Sequence, residues 1–229
     1  MRILSDILGY CFRGSGKHFA IWVVIMLIAV KFAVFVPFGF IVYFLVHGYL
    51  AAVWFQLIRS SATGAEEAPM FPESSNIFED LLWPLIQLLF AIFICFLPAI
   101  LYAALASDGP DPTIETLLII GGLIYFPMAV LAMVVLGRVS AIGPHIVVPA
   151  ILRTGGLYVI TLLLLGLLVV VKLFVEEWLL SLAVETSGLR GALLAWIFIE
   201  PILFVYLYMA SARALGVLYR EREEELAWL

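Results

Sequence analysis

Five ionisable side chains fall inside long apolar stretches of this chain, or within a turn of their ends: Lys31, His47, Lys172, Glu176 and Glu200. A charge at the centre of a spanning helix costs roughly 2.5–3.5 kcal/mol on insertion scales, so each of these groups requires a reason. Lys31 lies twelve residues into the stretch 19–36, roughly 18 Å along a helix. Glu200 stands mid-way through 192–212 and is followed by Pro201, which leaves a carbonyl one turn earlier without its donor. The two residues are at comparable depth, in the middle or outer half, so they can pair if the first and sixth stretches touch. Lys172 and Glu176 are spaced i, i+4 and share one helix face near the outer boundary. His47 has no second histidine at its depth for a bis-His haem, and a neutral imidazole bonded to a carbonyl is its default state. Three uses stay open for the charges: an interhelical ion pair, snorkelling of Lys31 and Lys172 to the interface, or handling of a proton, ion or solute.

No catalytic signature accompanies them. HExxH, GxSxG, Walker, GxGxxG and CxxC patterns are missing. The adjacent acids Glu66–Glu67 and Glu176–Glu177 point about 100° apart on a helix, so they do not converge on one substrate. Cys11 and Cys95 are too far apart in sequence for a metal-binding spacing, and a disulfide is not expected. The net charge of -5 comes with no basic run, which argues against a nucleic-acid partner. The sequence points to no enzyme, no metal and no cofactor.

The elements that must position these residues are membrane spans. Of 229 residues 65% are apolar and 13% charged, against about 45–50% and about 25% in soluble domains. Six stretches approach the roughly 20 residues that cross a hydrocarbon core: 19–36, 39–58, 81–106, 116–136, 157–175 and 192–212. Pro37 and Gly39 divide the first two; a single helix there would be about 60 Å long. With six crossings, Arg2, Arg13, Lys17, Arg59, Arg138, Arg153, Arg213, Arg220 and Arg222 share the side of both termini, and only Arg190 lies opposite. Basic residues are retained on the cytoplasmic face, so both termini are expected there, in the cell inner membrane, with the N-terminus uncleaved.

The predicted fold is therefore all-α: a polytopic six-span transmembrane bundle with interfacial amphipathic helices at the N-terminus and before span five. Residues 1–18 form the first of these, with Ile3, Leu4, Ile7, Leu8 and Cys11 on one face toward lipid. Residues 19–212 form the membrane domain and 146–153 the second interfacial piece. Residues 213–229 form a cytoplasmic amphipathic tail, its Leu215, Leu218, Tyr219, Leu226 and Trp228 along the bilayer surface. Pro98 and Pro127 are expected to kink spans three and four, and Gly121, Gly122 and Gly166 to admit close helix neighbours. The polar loop 59–80, with Arg59, Gly64, Glu66, Glu67 and Pro69, reads as a solvated linker or a docking surface. The outer loops 107–115 and 176–190 are short and acidic.

Several motifs carry a resemblance. Residues 58–69, IRSSATGAEEAP, lead into 78–85, FEDLLWPL; LIYFPMA spans 123–129; Gly143-Pro144 runs through Arg153 to Gly156-Leu157-Tyr158; and RALGVLYR closes 213–220. Together they resemble a large prokaryotic family of polytopic membrane proteins of unknown function, loosely Yip-like in layout. Gly143 departs from the polar Asn found in many relatives. The resemblance implies a six-helix membrane protein of bacteria or archaea and carries no activity with it.

Two functions fit. The first is a membrane-embedded structural or accessory subunit, a scaffold binding other membrane proteins. The alternative is a small-solute or ion transporter or channel using Lys31, Lys172 and Glu200. The expected partners are the lipid bilayer and membrane proteins or further copies of the chain.

Overall fold

A computed structural model describes residues 2–33, 37–65, 67, 76, 78–106, 109–226 and 228; side chains 2–5, 187 and 189 are not described. Its elements are helical: α1 (Arg2–Gly9), α2 (Gly16–Ala33), α3 (Gly39–Ala62), α4 (Trp83–Leu105), α5 (Pro112–Leu136), α6 (Pro144–Thr186), α7 (Arg190–Glu221) and the short α8 (Glu223–Leu226). Single turns of tighter or wider helix occupy Tyr10–Phe12, Val139–Ile142 and Phe78–Leu82. Helices α2 to α7 are long and apolar enough to cross a membrane, α4 together with the turn before it. Among the described residues the protein is all-helical, with six candidate spans of a polytopic membrane protein.

Two glycines cut the C-terminal third of the chain. Gly155 (φ 48°) and Gly188 (φ 60°) interrupt what is otherwise continuous helix from Pro144 to Glu221. A side chain at positive φ is costly, and glycine pays none of that cost. Gly155 separates the piece beginning at Pro144, expected as an interfacial helix, from the rest of α6. Gly188 folds α6 back along α7. The segment 176–190, expected as a short loop, is instead helix up to and beyond this single hinge. Its apolar residues Leu179, Leu180, Leu182, Ala183 and Val184 favour continuing the helix over fraying into a polar turn.

Packing is uneven. In α5, the central helix, every residue from Met128 to Val134 is buried, whereas Leu117 and Leu123 nearer its start are exposed. Buried residues of α3, Leu50 to Ala62, and of α7, Val205 to Tyr219, meet that same half. The two near-terminal regions of the chain join here too: Asp6 pairs with Arg213, and Trp228 stacks on Tyr219 with ring centroids 5.9 Å apart. This dense half is called the terminal face below, and the opposite half the far face. Close approach at the terminal face depends on Gly216: a Cβ there would lie 2.3 Å from Ser61 Cβ and 2.8 Å from two backbone atoms of α3. Gly122 does the same between α5 and α4, where a Cβ would meet Phe96 at 2.8 Å. Gly121 and Gly166, expected to act likewise, face nothing within 4 Å.

Two amphipathic assignments change. Leu215, Leu218, Tyr219 and Leu226, expected along the bilayer surface, are buried in the bundle, and α7 runs unbroken to Glu221. The apolar face of α1, expected on lipid, is covered by protein at Ile7 and Cys11; Ile7 packs with Leu168, Ala210 and Ala214. Both changes have one cause. An apolar stripe satisfies lipid and a neighbouring helix equally, and close packing adds dispersion contacts that fluid chains do not match.

At the far face Asp111 caps α5. Its carboxylate accepts from the Thr113 backbone N–H at 2.7 Å, and its own N–H donates to the Tyr102 hydroxyl at 3.1 Å, tying the end of α4 to the start of α5. The backbone N–H and hydroxyl of Thr113, with the Ile114 N–H, hold its carboxyl below the ordinary Asp range. A depressed folded pKa means stability present above the unfolded value and lost as pH falls through the folded one. Protection of the Thr113–Thr116 amides, relative to their exchange in an unstructured chain at the same pH, should therefore fall below about pH 4, and Asp111→Ala should show the same loss of protection at neutral pH.

Candidate functional site

Where α2, α3, α6 and α7 meet at the far face, they enclose a cavity of about 290 Å³. Four of the five ionisable residues singled out from sequence line it: Lys31, His47, Glu176 and Glu200. The fifth, Lys172, stands behind Glu176 and pairs with it across one helical turn. Five residues scattered over 170 positions thus gather in one place.

The centre of the site is Lys31. Its Nζ lies 2.7 Å from the Glu200 carboxylate, donates to the Trp196 carbonyl, and rests 3.9 Å from the centroid of the Trp196 ring. One ammonium thus meets a carboxylate, a backbone dipole and an aromatic face, three interactions suited to a cation drawn from water. Trp196 precedes by one residue Ile197, whose carbonyl Pro201 leaves without a helical donor. Lys31 takes up the carbonyl next to the one that Pro201 leaves free. The pair sits two residues from the end of α2, at the outer limit of the depth expected for it.

His47 Nδ1 is 2.7 Å from the Tyr43 carbonyl, and its ring stacks on Tyr43 with centroids 3.9 Å apart. The imidazole is held by its own helix, in the way the sequence suggested. Its other nitrogen, Nε2, is the edge that this bond leaves for the cavity. Among the described residues no three His, Cys, Asp or Glu side chains converge as metal ligands do.

The docking loop is only partly described. Glu66 and Pro69 lie outside the described residues. Arg59 is tied down, its Nε donating to the Val134 carbonyl at 3.0 Å. Gly64, at φ 86°, lies beside the Arg220 side chain, and the Glu67 carboxylate lies against Gly14. Arg59 is thus anchored through Nε while its side chain stays exposed.

Sequence reasoning missed the second charged cluster. Arg213, expected among lipid headgroups, is 1% exposed. Its Nη2 and Nε meet Asp6 Oδ2 at 2.8 and 3.0 Å, Nη1 donates to the Ala65 carbonyl at 2.5 Å, and the guanidinium packs 4.9 Å from the Tyr10 ring centroid. Asp6 also takes Arg13 at 2.5 Å. The planar fork of Arg fits one carboxylate oxygen plus a carbonyl, which an ammonium would not do as well. The available signal was Asp6, the single acid in the first turns of the chain, set against a face otherwise apolar. Beside it Cys11 is buried, and burial pushes its thiol up to about 12.

No family model, curated protein or solved structure matches this chain.

Proposed function

We propose that the chain is a membrane-embedded accessory subunit or scaffold that binds other membrane proteins, with its terminal face cytoplasmic. One observation supports the binding role above others. Lys31 meets Glu200 near the described end of α2, and α6 and α7 run on as helix to the hinge at Gly188. This α6–α7 hairpin carries exposed Trp178, Leu182, Val184, Leu193, Leu194 and Phe198. A two-helix hairpin with apolar sides is a surface that a neighbouring span or subunit covers well. The basic residues Arg13, Arg59, Arg213 and Arg220, gathered at the terminal face, support the orientation.

A photo-crosslinking residue at position 182 or 194, introduced in native membranes, should give one discrete adduct of fixed mass. The same residue at 120 on α5 should give only diffuse lipid adducts. Smears at all three positions would remove the support for the hairpin as a binding surface.

The transporter reading rests on a different observation, the polar cavity around Lys31. It predicts solute flux in liposomes that Lys31→Ala or Glu200→Gln abolishes. On the scaffold reading the pair serves packing. A double-mutant cycle of those two substitutions should then give a coupling of about 0.5–3 kcal/mol in SDS-titration unfolding, while partner binding persists.

A further inference from the structure

A further cavity borders the one around Lys31 at His47 and Phe204. It has a volume of about 310 Å³ and lies deeper between α3, α4, α5 and α7. The two differ sharply in chemistry. The outer one carries Lys31, Glu176 and Glu200. The deeper one is walled by Leu50, Leu85, Leu88, Ile92 and Phe126 among others, and the polar groups of Trp54, Tyr208 and Ser211 in its wall bond within the protein. Trp54 Nε1 donates to Ser211 Oγ at 3.2 Å, and Tyr208 donates to the Leu50 carbonyl at 2.5 Å. Each cavity is near the small end of ligand sites, about 300 Å³, and the two joined fall well inside the usual range.

We propose that the two cavities open into one another past His47 and Phe204 and together hold one zwitterionic membrane amphiphile, its ammonium-and-phosphate head at the Lys31–Glu200 pair and one hydrocarbon chain in the deeper chamber. The chain follows from the deeper walls, which offer nothing for a polar group to bond and repel one that is left unpaired. The head follows from charge balance. A purely anionic head would take Lys31 and strand Glu200; a purely cationic one would do the reverse, and an unpaired charge at this depth is costly. A head with both signs exchanges the internal pair for two external ones and strands neither. Trp196 already holds a cation over its ring, so the ammonium has a seat prepared. The phosphate then faces Lys31, with the His47 edge next to it. The bilayer in which the six spans sit supplies such molecules to a cavity opening between helices.

The test uses the full-length protein in a maltoside detergent, titrated with three single-chain lipids of equal chain length. One carries a phosphoethanolamine head, one a phosphate and one a trimethylammonium. Chains brominated near their ends report arrival at Trp54 by quenching its emission, with Trp54→Phe as the blank. The expected result is saturable quenching by the zwitterion, at least tenfold tighter than by either singly charged lipid. Lys31→Ala combined with Glu200→Gln should remove that preference. Leu88→Phe should fill the deeper chamber and abolish the quenching of Trp54 seen in the wild type. Equal affinity for all three heads in the wild type, or quenching that never saturates, overturns the proposal without reliance on any variant.

Discussion

Asp6→Ala is expected to lower the stability of the bundle by about 3 kcal/mol and to open Cys11 to thiol reagents. The magnitude follows from what is left behind. Arg213 is buried, and removing one member of a buried pair leaves an uncompensated charge at a cost of roughly 3–5 kcal/mol. The lower end applies because Arg213 keeps the Ala65 carbonyl, and Asp6 itself is partly open to solvent. The thiol readout follows from packing. Cys11 is buried where the chain turns from α1 toward α2, and a thiol raised to about 12 supplies almost no thiolate at neutral pH. In a Cys95→Ala background, maleimide should label the wild type slowly and Asp6→Ala many times faster. Asp6→Asn, which keeps an acceptor oxygen, should fall between. Equal labelling of wild type and Asp6→Ala would mean that α1 is not held by this pair.

Gly216→Ala is expected to destabilise the protein although alanine is the better helix former. Alanine gains up to about 1 kcal/mol over glycine inside a helix. Against this, the added methyl would sit 2.3 Å from Ser61 Cβ and 2.8 Å from the Ala62 nitrogen and the Ile58 carbonyl oxygen. Two of these three are backbone, which cannot swing aside, so α7 must move away from α3. Overpacking costs about 1–3 kcal/mol, occasionally more, and the clash wins. Gly166→Ala is the matched control, since nothing lies within 4 Å of the added methyl and propensity alone acts. SDS-titration midpoints should move in opposite directions for the two variants. A rise for Gly216→Ala would show that α3 and α7 do not approach so closely.

The six spans were legible because bilayer thickness fixes a length of apolar sequence and nothing else in this chain competes with that signal. The Lys31–Glu200 pair was legible for a related reason: an isolated charge at depth requires a partner, and only one acid lay at its level. The residues that misled were apolar ones at the bilayer boundary. Leu215, Leu218 and Ile7 look the same in sequence whether lipid or protein covers them, and here protein does. Arg213 misled for the opposite reason: a cation beyond the end of a span usually meets headgroups, and its partner is 207 positions away. The helix through 176–187 was hidden by its acids Glu176, Glu177 and Glu185, which suggested a water-borne loop.

The span of 207 positions between Asp6 and Arg213 bears on how the molecule is made. A ribosome adds about 5–20 residues each second, so α1 emerges on the order of ten to forty seconds before its seat exists. Lys31 waits almost as long for Glu200. For most of that interval Ile7 has neither Leu168 nor Ala210 and Ala214 to pack on, and a chain stopped before Arg213 leaves Asp6 with Arg13 as its remaining described cationic partner.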